Sequence, residues 1–347
     1  MERKLCLPFN KGGNRFWEVM IITEPSGNHQ QITDYLIRIG IPVPFPMKHV
    51  YCYLFRMKEE IVLVDVGFPT EAAKRYWEDV LEELSIKPTD ISKIILTHFH
   101  PDHTGLIGWM QERTGARVYM SDVEARMIKT VFGGNAKQAE ATYELFGKHS
   151  VPEPLLTKVR ENVLFLSNKV NPLPEIEIFQ DTYLDSPEGR WSIKTYGGHA
   201  EGHLCFYQET QKIMLIGDVV LNKITPNISL WPNSDQNPLK SYFSTLSQLV
   251  EQDVSIAYPA HGTPIVNLAQ RAKEIIEHHN ERLAVILTIL ESNKVAYKIT
   301  EQLFQHKKLT DHQWRFAIAE TLAHLEYLVK EKRIQKISHG GMFRYEL

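Results

Sequence analysis

The segment ILTHFHPDHTG at residues 95–105 constrains the fold more than any other part of the chain. It overlaps the apolar, β-branched run KIILTH at residues 93–98, which predicts a buried strand. The run HTGLIGWMQERTG at residues 103–115 predicts a helix with one apolar face. The loop between them therefore presents three imidazoles and a carboxylate at the end of a strand, where rigid scaffolds commonly carry chemistry.

This loop is a candidate metal site. In an extended segment, residues two apart point the same way, so His98 and His100 can bind one ion together. Asp102 and His103 follow at the turn into the helix and point toward a second position. Asp102 can alternatively cap the N-terminus of the helix. Because one ion needs about four ligands, and a catalytic ion keeps one position open, the other ligands must come from elsewhere.

Three further strand ends carry a histidine or an aspartate close to a glycine. They are His199 in TYGGHAEGH (195–203), Asp218 in KIMLIGDVV (212–220) and His261 in SIAYPAHGTP (255–264). Each follows an apolar, strand-like run, and glycine allows the backbone to approach a site closely. Each signal is weak alone, but all of them in this order form a strong pattern.

This set of residues resembles the ligand motif of the metallo-β-lactamase superfamily and is most similar to that of the glyoxalase II-like dinuclear hydrolases. The LVDVG segment at residues 63–67 also resembles a superfamily strand whose aspartate, here Asp65, lies beneath the site. The resemblance extends from about residue 17 to residue 266. It implies an α/β fold, specifically an αββα sandwich, and a metal-dependent hydrolase.

The resemblance also implies seven metal ligands and two divalent ions. The first ion would be held by His98, His100 and His199. The second would be held by Asp102, His103 and His261, and Asp218 would bridge the two.

Two residues outside this set, Asp65 and His203, would support the ligands without binding metal. Imidazole and carboxylate ligands suit zinc, iron or manganese, and zinc is our first choice. Cys205 lies two residues beyond His203 on a predicted strand, and we expect no contact with the site.

The expected chemistry is attack by a hydroxide that bridges the two metal ions. Metal binding lowers the pKa of water from ~15.7 toward ~7, which supplies a nucleophile at neutral pH. Five neutral imidazoles and two carboxylates leave a dinuclear centre net positive, so an anionic intermediate is favoured. Asp102 is the predicted catalytic proton acceptor.

The segment after Asp218, LNKITPNISLW, supplies the predicted substrate contacts Lys223, Asn227 and Trp231, together with Asn222. These side chains suit a neutral or singly charged substrate. The ligand segments THFHPDHTGLIGW and GGHAEGHLCFY contain no Lys or Arg, whereas a nuclease normally lines its approach with them. We therefore predict hydrolysis of a small ester, thioester or lactone.

Three alternatives remain open. The same hydroxide can attack a phosphodiester, as in a β-lactamase-like endoribonuclease. Some sulfur-oxidising relatives share these ligands, which leaves an iron-dependent sulfur dioxygenase. The third alternative is a non-catalytic regulator that binds nucleic acid.

The chain is predicted to have two domains. Residues 1–266 form the catalytic domain, with a helical insertion at about 121–175 that contains helical patterns around 121–131, 136–147 and 153–168. Residues 267–347 contain a long amphipathic helix, a capping-box signature at Thr310 and Gln313, and a hairpin that turns at Gly340–Gly341. Helices followed by a hairpin resemble a winged-helix module.

The C-terminal domain, residues 267–347, is only mildly basic. From residue 270 onward it has 13 Lys or Arg and 10 Asp or Glu, a net charge of about +3. We therefore expect packing against the catalytic domain, or pairing into a homodimer, rather than nucleic-acid binding. The aromatic residues of the insertion, Phe132, Tyr143, Phe146 and Phe165, form either a small satellite core or a lid over the metals.

Composition indicates a cytoplasmic enzyme with a small-molecule substrate. The formal net charge is −3 and only three cysteines occur, Cys6, Cys52 and Cys205, so no disulfide framework is expected. The N-terminus lacks the apolar core of a signal peptide, and no run approaches the length of a membrane span. Histidine makes up 15 of 347 residues, and we interpret His278–His279 as a chance pair.

Overall fold

The computed structural model describes residues 29–134 and 136–347, so Cys6 and the first 28 residues of the predicted catalytic domain lie outside the described part. The strands in these ranges are β1 His29–Thr33, β2 Leu36–Pro42, β3 His49–Arg56, β4 Ile61–Val64, β5 Ile91–Ile95, β6 Arg117–Met120, β7 Ile176–Ile178, β8 Tyr183–Ser186, β9 Gly189–Tyr196, β10 His203–Gln208, β11 Ile213–Gly217, β12 Ile256–Pro259, β13 Gln335–His339 and β14 Met342–Glu346.

The helices in the same ranges are α1 Glu71–Glu83, α2 Pro101–Thr104, α3 Ile107–Thr114, α4 Asp122–Val131, α5 Lys137–Lys148, α6 Glu153–Ser167, α7 Pro238–Glu251, α8 Leu268–Leu290, α9 Ala296–Leu303 and α10 Asp311–Lys330, with a short 3₁₀ turn at Pro88–Asp90.

Two sheets form the predicted αββα sandwich. Strands β1 to β7 form one sheet in sequential order, and the other sheet has the order β12-β11-β10-β9-β8. Aromatic side chains from both sheets, including Phe55, Trp191 and Phe206, form the core between them. Helices α1 and α3 contribute to the apolar cluster outside the first sheet, and α7 and α8 to the cluster outside the second. Sequential β-strand–helix units therefore place several strand ends at one edge.

The helix predicted at residues 103–115 is two helices, α2 and α3. The carbonyl of His103 accepts a hydrogen bond from the amide of Val66 rather than continuing the helix, and Leu106 donates its amide to Gly67. The cap alternative for Asp102 is wrong, because the residue that caps α2 is His100 and Pro101 occupies the first helical position. Asp102 lies inside the first turn.

The helical insertion consists of α4, α5 and α6, close to the predicted segments. Its aromatic residues do not form one separate core. Phe132 is buried outside the first sheet, Phe146 is buried outside the second, and Phe165 is 58% exposed. The ring of Phe146 stacks on Trp231 at a centroid distance of 6.3 Å. The insertion therefore contacts the segment that follows Asp218.

The C-terminal domain packs directly on the catalytic domain. Helix α8 contacts α7, and α10 contacts α6 and α7. Thr310 and Gln313 form the predicted capping box, and the hairpin β13–β14 turns at Gly340–Gly341. The winged-helix assignment stays a prediction.

None of the helices in the described ranges is long and apolar enough to cross a membrane. Cys52 and Cys205 are buried free thiols.

Two buried histidines connect α8 and α10. His324 donates its Nδ1 proton to the carbonyl of Glu320 at 2.7 Å, so its Nε2 accepts from Nδ1 of His279 at 3.0 Å. Burial lowers the pKa of His279 to about 2, with a smaller effect of the neighbouring imidazoles and Arg282. Burial likewise lowers the pKa of His324 to about 3. Both rings are neutral in the folded protein, so His279 is part of the domain interface.

These lowered pKa values predict acid sensitivity. Below pH 6.5 the unfolded chain binds protons that the folded chain excludes. The free energy of unfolding therefore decreases as the pH is lowered. One such histidine lowers it by roughly 2 kcal/mol between pH 7 and pH 5. His279→Gln keeps a donor for His324 and should lose less stability on acidification than the wild type, as measured by urea denaturation at both pH values. The exposed His339, changed to Gln, is the matched control, and an unchanged pH dependence in His279→Gln would contradict the assignment.

Candidate metal centre

The seven predicted ligands follow strand ends, and the structure brings them together at one end of the sandwich. Their nitrogen and oxygen atoms form two groups, and within each group these atoms lie within 4.8 Å of one another. The first group contains His98, His100 and His199. The second group contains Asp102, His103, Asp218 and His261. These are the two sets that the sequence predicts, with Asp218 placed in the second.

Asp218 lies between the two groups. Its Oδ2 atom is 3.5 Å from Nε2 of His103 and 3.7 Å from Nε2 of His261, both in the second group. The same oxygen is 3.6 Å from Nε2 of His199, which belongs to the first group. A carboxylate at comparable distances from both groups has the geometry that a bridge between two ions requires.

Several buried atoms in the centre have no hydrogen-bond partner among residues 29–134 and 136–347. These are Nε2 of His103, Nε2 of His199 and Oδ1 of Asp218. Buried polar atoms in proteins are nearly always hydrogen-bonded, so three unpaired ones in one cluster indicate a ligand that they share. Imidazole nitrogens and carboxylate oxygens are the atoms that divalent transition metals bind. The residues therefore fit a dinuclear metal site.

Hydrogen bonds outside the centre orient three of the rings. His199 donates from Nδ1 to the carbonyl of Asn227 at 3.0 Å, and His261 donates from Nδ1 to the carbonyl of His49 at 2.8 Å. His103 places Nδ1 2.7 Å from the Asp65 carboxylate. Because carbonyls and carboxylates accept, Nδ1 carries the proton and Nε2 is free to bind a metal.

Asp65 is hydrogen-bonded to the ligand loop. Its two carboxylate oxygens accept from the amide and the hydroxyl of Thr97, each at 2.8 Å. The Thr97 hydroxyl in turn lies 3.0 Å from Nδ1 of His98. Nε2 of His98 then faces Nδ1 of His100 at 2.9 Å. Two ring nitrogens this close together suit a shared ion.

Electrostatics keep the first-group rings neutral and the carboxylates ionised. Burial, followed by repulsion from neighbouring imidazoles, lowers the pKa of His98 and His100 well below the usual range. Burial raises the pKa of Asp102, but His103 and His261 outweigh it and leave the pKa at about 2. Burial lowers the pKa of His103, but Asp65 and the other carboxylates raise it well above the usual range. The first group therefore presents neutral nitrogens, whereas the carboxylates of the second group favour the protonated form of His103 and His261, so metal binding there displaces protons.

His203 lies behind the ligands. Its ring stacks on His98 at a centroid distance of 4.5 Å, and its Nε2 accepts from the amide of Asp218 at 3.2 Å. The thiol of Cys205 donates to the carbonyl of Ile216 at 3.4 Å, and its sulfur lies 3.6 Å from Nδ1 of His203. These contacts are those of supporting residues rather than ligands.

The predicted substrate residues lie at different places. Trp231 lines a small cavity together with His199. The side-chain amide of Asn227 donates to Glu320 of α10 at 3.3 Å, and that of Asn222 donates to Thr263 and Pro264, so both amides are already engaged. Lys223 is exposed. The assignment of these residues as substrate contacts stays a prediction.

Sequence reasoning missed two residues that brace the ligand loops. Arg38, a buried residue of β2, donates to the carbonyl of Gly262 beside His261 at 2.8 Å. Glu124 of α4 accepts hydrogen bonds from two loop amides. The only sequence signal for Glu124 is the Ser121-x-x-Glu124 spacing, which by itself predicts a capping box.

Comparison with known families identifies the fold. Residues 47–261 match the metallo-beta-lactamase superfamily, and residues 283–347 match the metallo-beta-lactamase-like C-terminal domain. The first match covers more than half of the chain.

Individual proteins extend this similarity. The chain is 26% identical over 323 residues to the probable metallo-hydrolase YqjP of Bacillus subtilis (strain 168), covering 89% of this chain and 97% of that protein. It is 23% identical over 274 residues to an atrochrysone carboxyl ACP thioesterase of Emericella nidulans, covering 78% and 72%.

Solved structures agree. A metallo-beta-lactamase family protein from Thermus thermophilus is 34% identical with a TM-score of 0.77, covering 91% of this chain and 99% of that one. A beta-lactamase domain protein from Burkholderia ambifaria is 25% identical with a TM-score of 0.82, covering 94% and 97%. The fold and the His/Asp groups together indicate divalent metal ions, two in number. The chain belongs to the metallo-β-lactamase superfamily and is a metallohydrolase.

Proposed function

We propose that this metallohydrolase cleaves an ester or thioester bond in a small acyl substrate. The observation that supports this class is the cavity beside His199. Its walls include the apolar side chains of Phe99, Met127 and Trp231, and its lining residues include neither Lys nor Arg. Glu201 and Asp235 are also in the lining, so a polyanion such as RNA would be repelled. The cavity volume is only about 20 Å³, so these walls contact the part of a neutral acyl substrate that lies next to His199 and do not enclose the whole group.

The seven ligand residues are proposed to hold two zinc ions in the two groups described above. When bound, such ions lower the pKa of water and polarise the oxygen of the bond to be cleaved. The protein orients the ligands through Asp65, Asn227 and His49. Asp102 lies in the second ligand group with its Oδ2 3.1 Å from Nε2 of His261, which supports the ligand role, and its role as catalytic proton acceptor stays a prediction.

The relatives support hydrolysis of an acyl bond but do not identify the metal. The name of the Emericella nidulans protein specifies a thioesterase, and that protein covers most of this chain. Imidazole and carboxylate ligands also suit iron or manganese, so elemental analysis of purified protein tests the zinc assignment. We expect close to two metal ions per chain.

We further propose that the C-terminal domain is a structural part of the centre rather than a reader of nucleic acid. The carbonyl of Ala319 on helix α10 accepts a hydrogen bond from the amide of Leu230 at 3.0 Å. Arg271 of α8 donates to the carbonyls of Leu221 and Ile224 at 2.9 and 3.0 Å. The segment that carries Asn227, and so orients His199, is therefore attached to the C-terminal helices.

A comparison of substrates tests the reaction class. We expect thioesters, lactones and aryl esters to turn over roughly tenfold faster, or more, than bis-aryl phosphodiesters and short RNA, because the cavity lining offers no Lys or Arg to the phosphate and includes two carboxylates. His103→Ala should abolish the acyl activity, whereas the exposed His339→Ala should not. Faster phosphodiester turnover that His103→Ala also abolishes would replace the acyl hydrolase with a nuclease.

A further inference from the structure

Glu124 is a buried carboxylate outside the ligand set. It lies on α4 and is 0% exposed. Its Oε2 accepts from the amide of Phe99 at 2.9 Å, and its Oε1 accepts from the amide of Gly202 at 2.8 Å. Among residues 29–134 and 136–347, no Lys, Arg or His forms an ion pair with it.

The two amides belong to two different ligand loops. Phe99 separates His98 from His100 on the loop that follows β5 of the first sheet. Gly202 follows His199 by three residues on the loop that joins β9 and β10 of the second sheet. The first metal group is therefore built from two loops on two sheets, and Glu124 is hydrogen-bonded to both.

Helix capping does not account for this side chain. Ser121 caps α4 by accepting from the amide of Glu124, but the carboxylate is hydrogen-bonded to the two loops. The Ser121 hydroxyl also donates to the carbonyl of Gly202 at 2.8 Å. The start of α4 is thus hydrogen-bonded to both the amide and the carbonyl of Gly202.

A buried carboxylate without a cation is unfavourable unless hydrogen bonds compensate. Here both oxygens are used, one on each loop, and each satisfies a loop amide that is buried with it. We propose that Glu124 is a positioning residue that sets the separation between the His98–His100 pair and His199, and so the affinity of the first metal group. This inference rests on the dinuclear centre of the proposed function.

Glu124→Gln in the full-length protein tests the proposal. Glutamine has the same shape but only one acceptor, and its NH₂ group would face a loop amide that also donates. We expect the metal affinity of the first group to fall by roughly 10–100-fold, the effect typical of residues that support ligands, with the second group unchanged. Competition titration of the metal-free protein with zinc and a chromophoric chelator resolves the two affinities, and cobalt spectra report the geometry of each site.

Asp122→Asn is the matched control, because Asp122 is an exposed carboxylate of the same helix that pairs with Arg126. Glu124→Asp is the second variant: it keeps the charge but, being one methylene shorter, reaches only one amide, and should show an intermediate loss. The inference would be overturned if Glu124→Gln binds zinc at both groups with wild-type affinity, or if it weakens zinc binding at both groups equally. A wild-type protein that binds no ion would instead overturn the proposed function, and this inference with it.

Discussion

Asp218→Ala is expected to remove both metal ions and to abolish hydrolysis. The Oδ2 atom of Asp218 is 3.5 Å from Nε2 of His103 and 3.6 Å from Nε2 of His199, one in each ligand group. If Asp218 bridges the two ions, loss of this carboxylate removes an anionic ligand from both of them at once. The fall in metal affinity should exceed the roughly 10–100-fold typical of residues that only support ligands. Elemental analysis after dialysis against a weak chelator measures the content directly.

Asp102→Ala separates a bridging role from an ordinary ligand role. Asp102 belongs to the second group alone, so its loss should leave one ion in place on the three histidines of the first group. Asp253→Ala, an exposed carboxylate paired with Lys212, should retain both ions. If Asp218→Ala keeps two ions and full activity, or loses one ion as Asp102→Ala does, Asp218 is not a bridge.

The positions of the ligands could be predicted from sequence because each one follows a strand. An apolar, β-branched run followed by His98, Asp218 or His261 identifies a strand end without knowledge of the tertiary structure. Since strand ends at one edge of a sandwich meet, the residues that follow them can converge on one site. The resemblance then predicted which ligands belong together, and the two groups in the structure contain those residues.

The partners that orient the ligands could not be predicted in the same way. His199 and His261 are held by the backbone carbonyls of Asn227 and His49, and a carbonyl has no residue-type signature. Glu124 has a signature, but it is that of a capping box, a local pattern that fits a long-range contact equally well. The break at Leu106 has the same origin, because it depends on hydrogen bonds to the β4–α1 loop.

The organisation of the core was also beyond the sequence pattern. Amphipathic helices predict an apolar face but not which surface covers it. Phe146 and Trp231 were predicted separately, one as a core or lid residue and one as a substrate contact. The structure stacks them in a single apolar cluster that also includes α8 and α10. The insertion, the second sheet and the C-terminal domain therefore share one core.

This shared core predicts that damage in the C-terminal domain destabilises the metal centre. Leu322 of α10 is 0% exposed and belongs to the cluster that extends to the outer face of the second sheet. Leu322→Ala should lower the free energy of unfolding by about 2–5 kcal/mol, the range for a buried leucine replaced by alanine. Because α10 also binds Leu230 and Asn227 on the segment that orients His199, metal release on heating should move to lower temperature together with the loss of helical signal. Circular dichroism and a metal-sensitive dye, followed in the same thermal scan, measure both.

Val285→Ala is the matched control, since Val285 is an apolar residue of α8 that is 48% exposed, and its loss should change stability by no more than about 0.5 kcal/mol. The prediction is contradicted if the loss of helical signal and the release of metal occur as two separate thermal transitions. In that case Leu322→Ala would lower the temperature of the helical transition and leave the temperature of metal release unchanged. The C-terminal domain would then unfold independently of the catalytic domain, and its contacts with the segment before Trp231 would contribute little to the centre. A single thermal transition that Leu322→Ala shifts for both signals supports the prediction. It means that the C-terminal helices stabilise the loop that orients His199, and that the first metal group is lost when the shared apolar core unfolds.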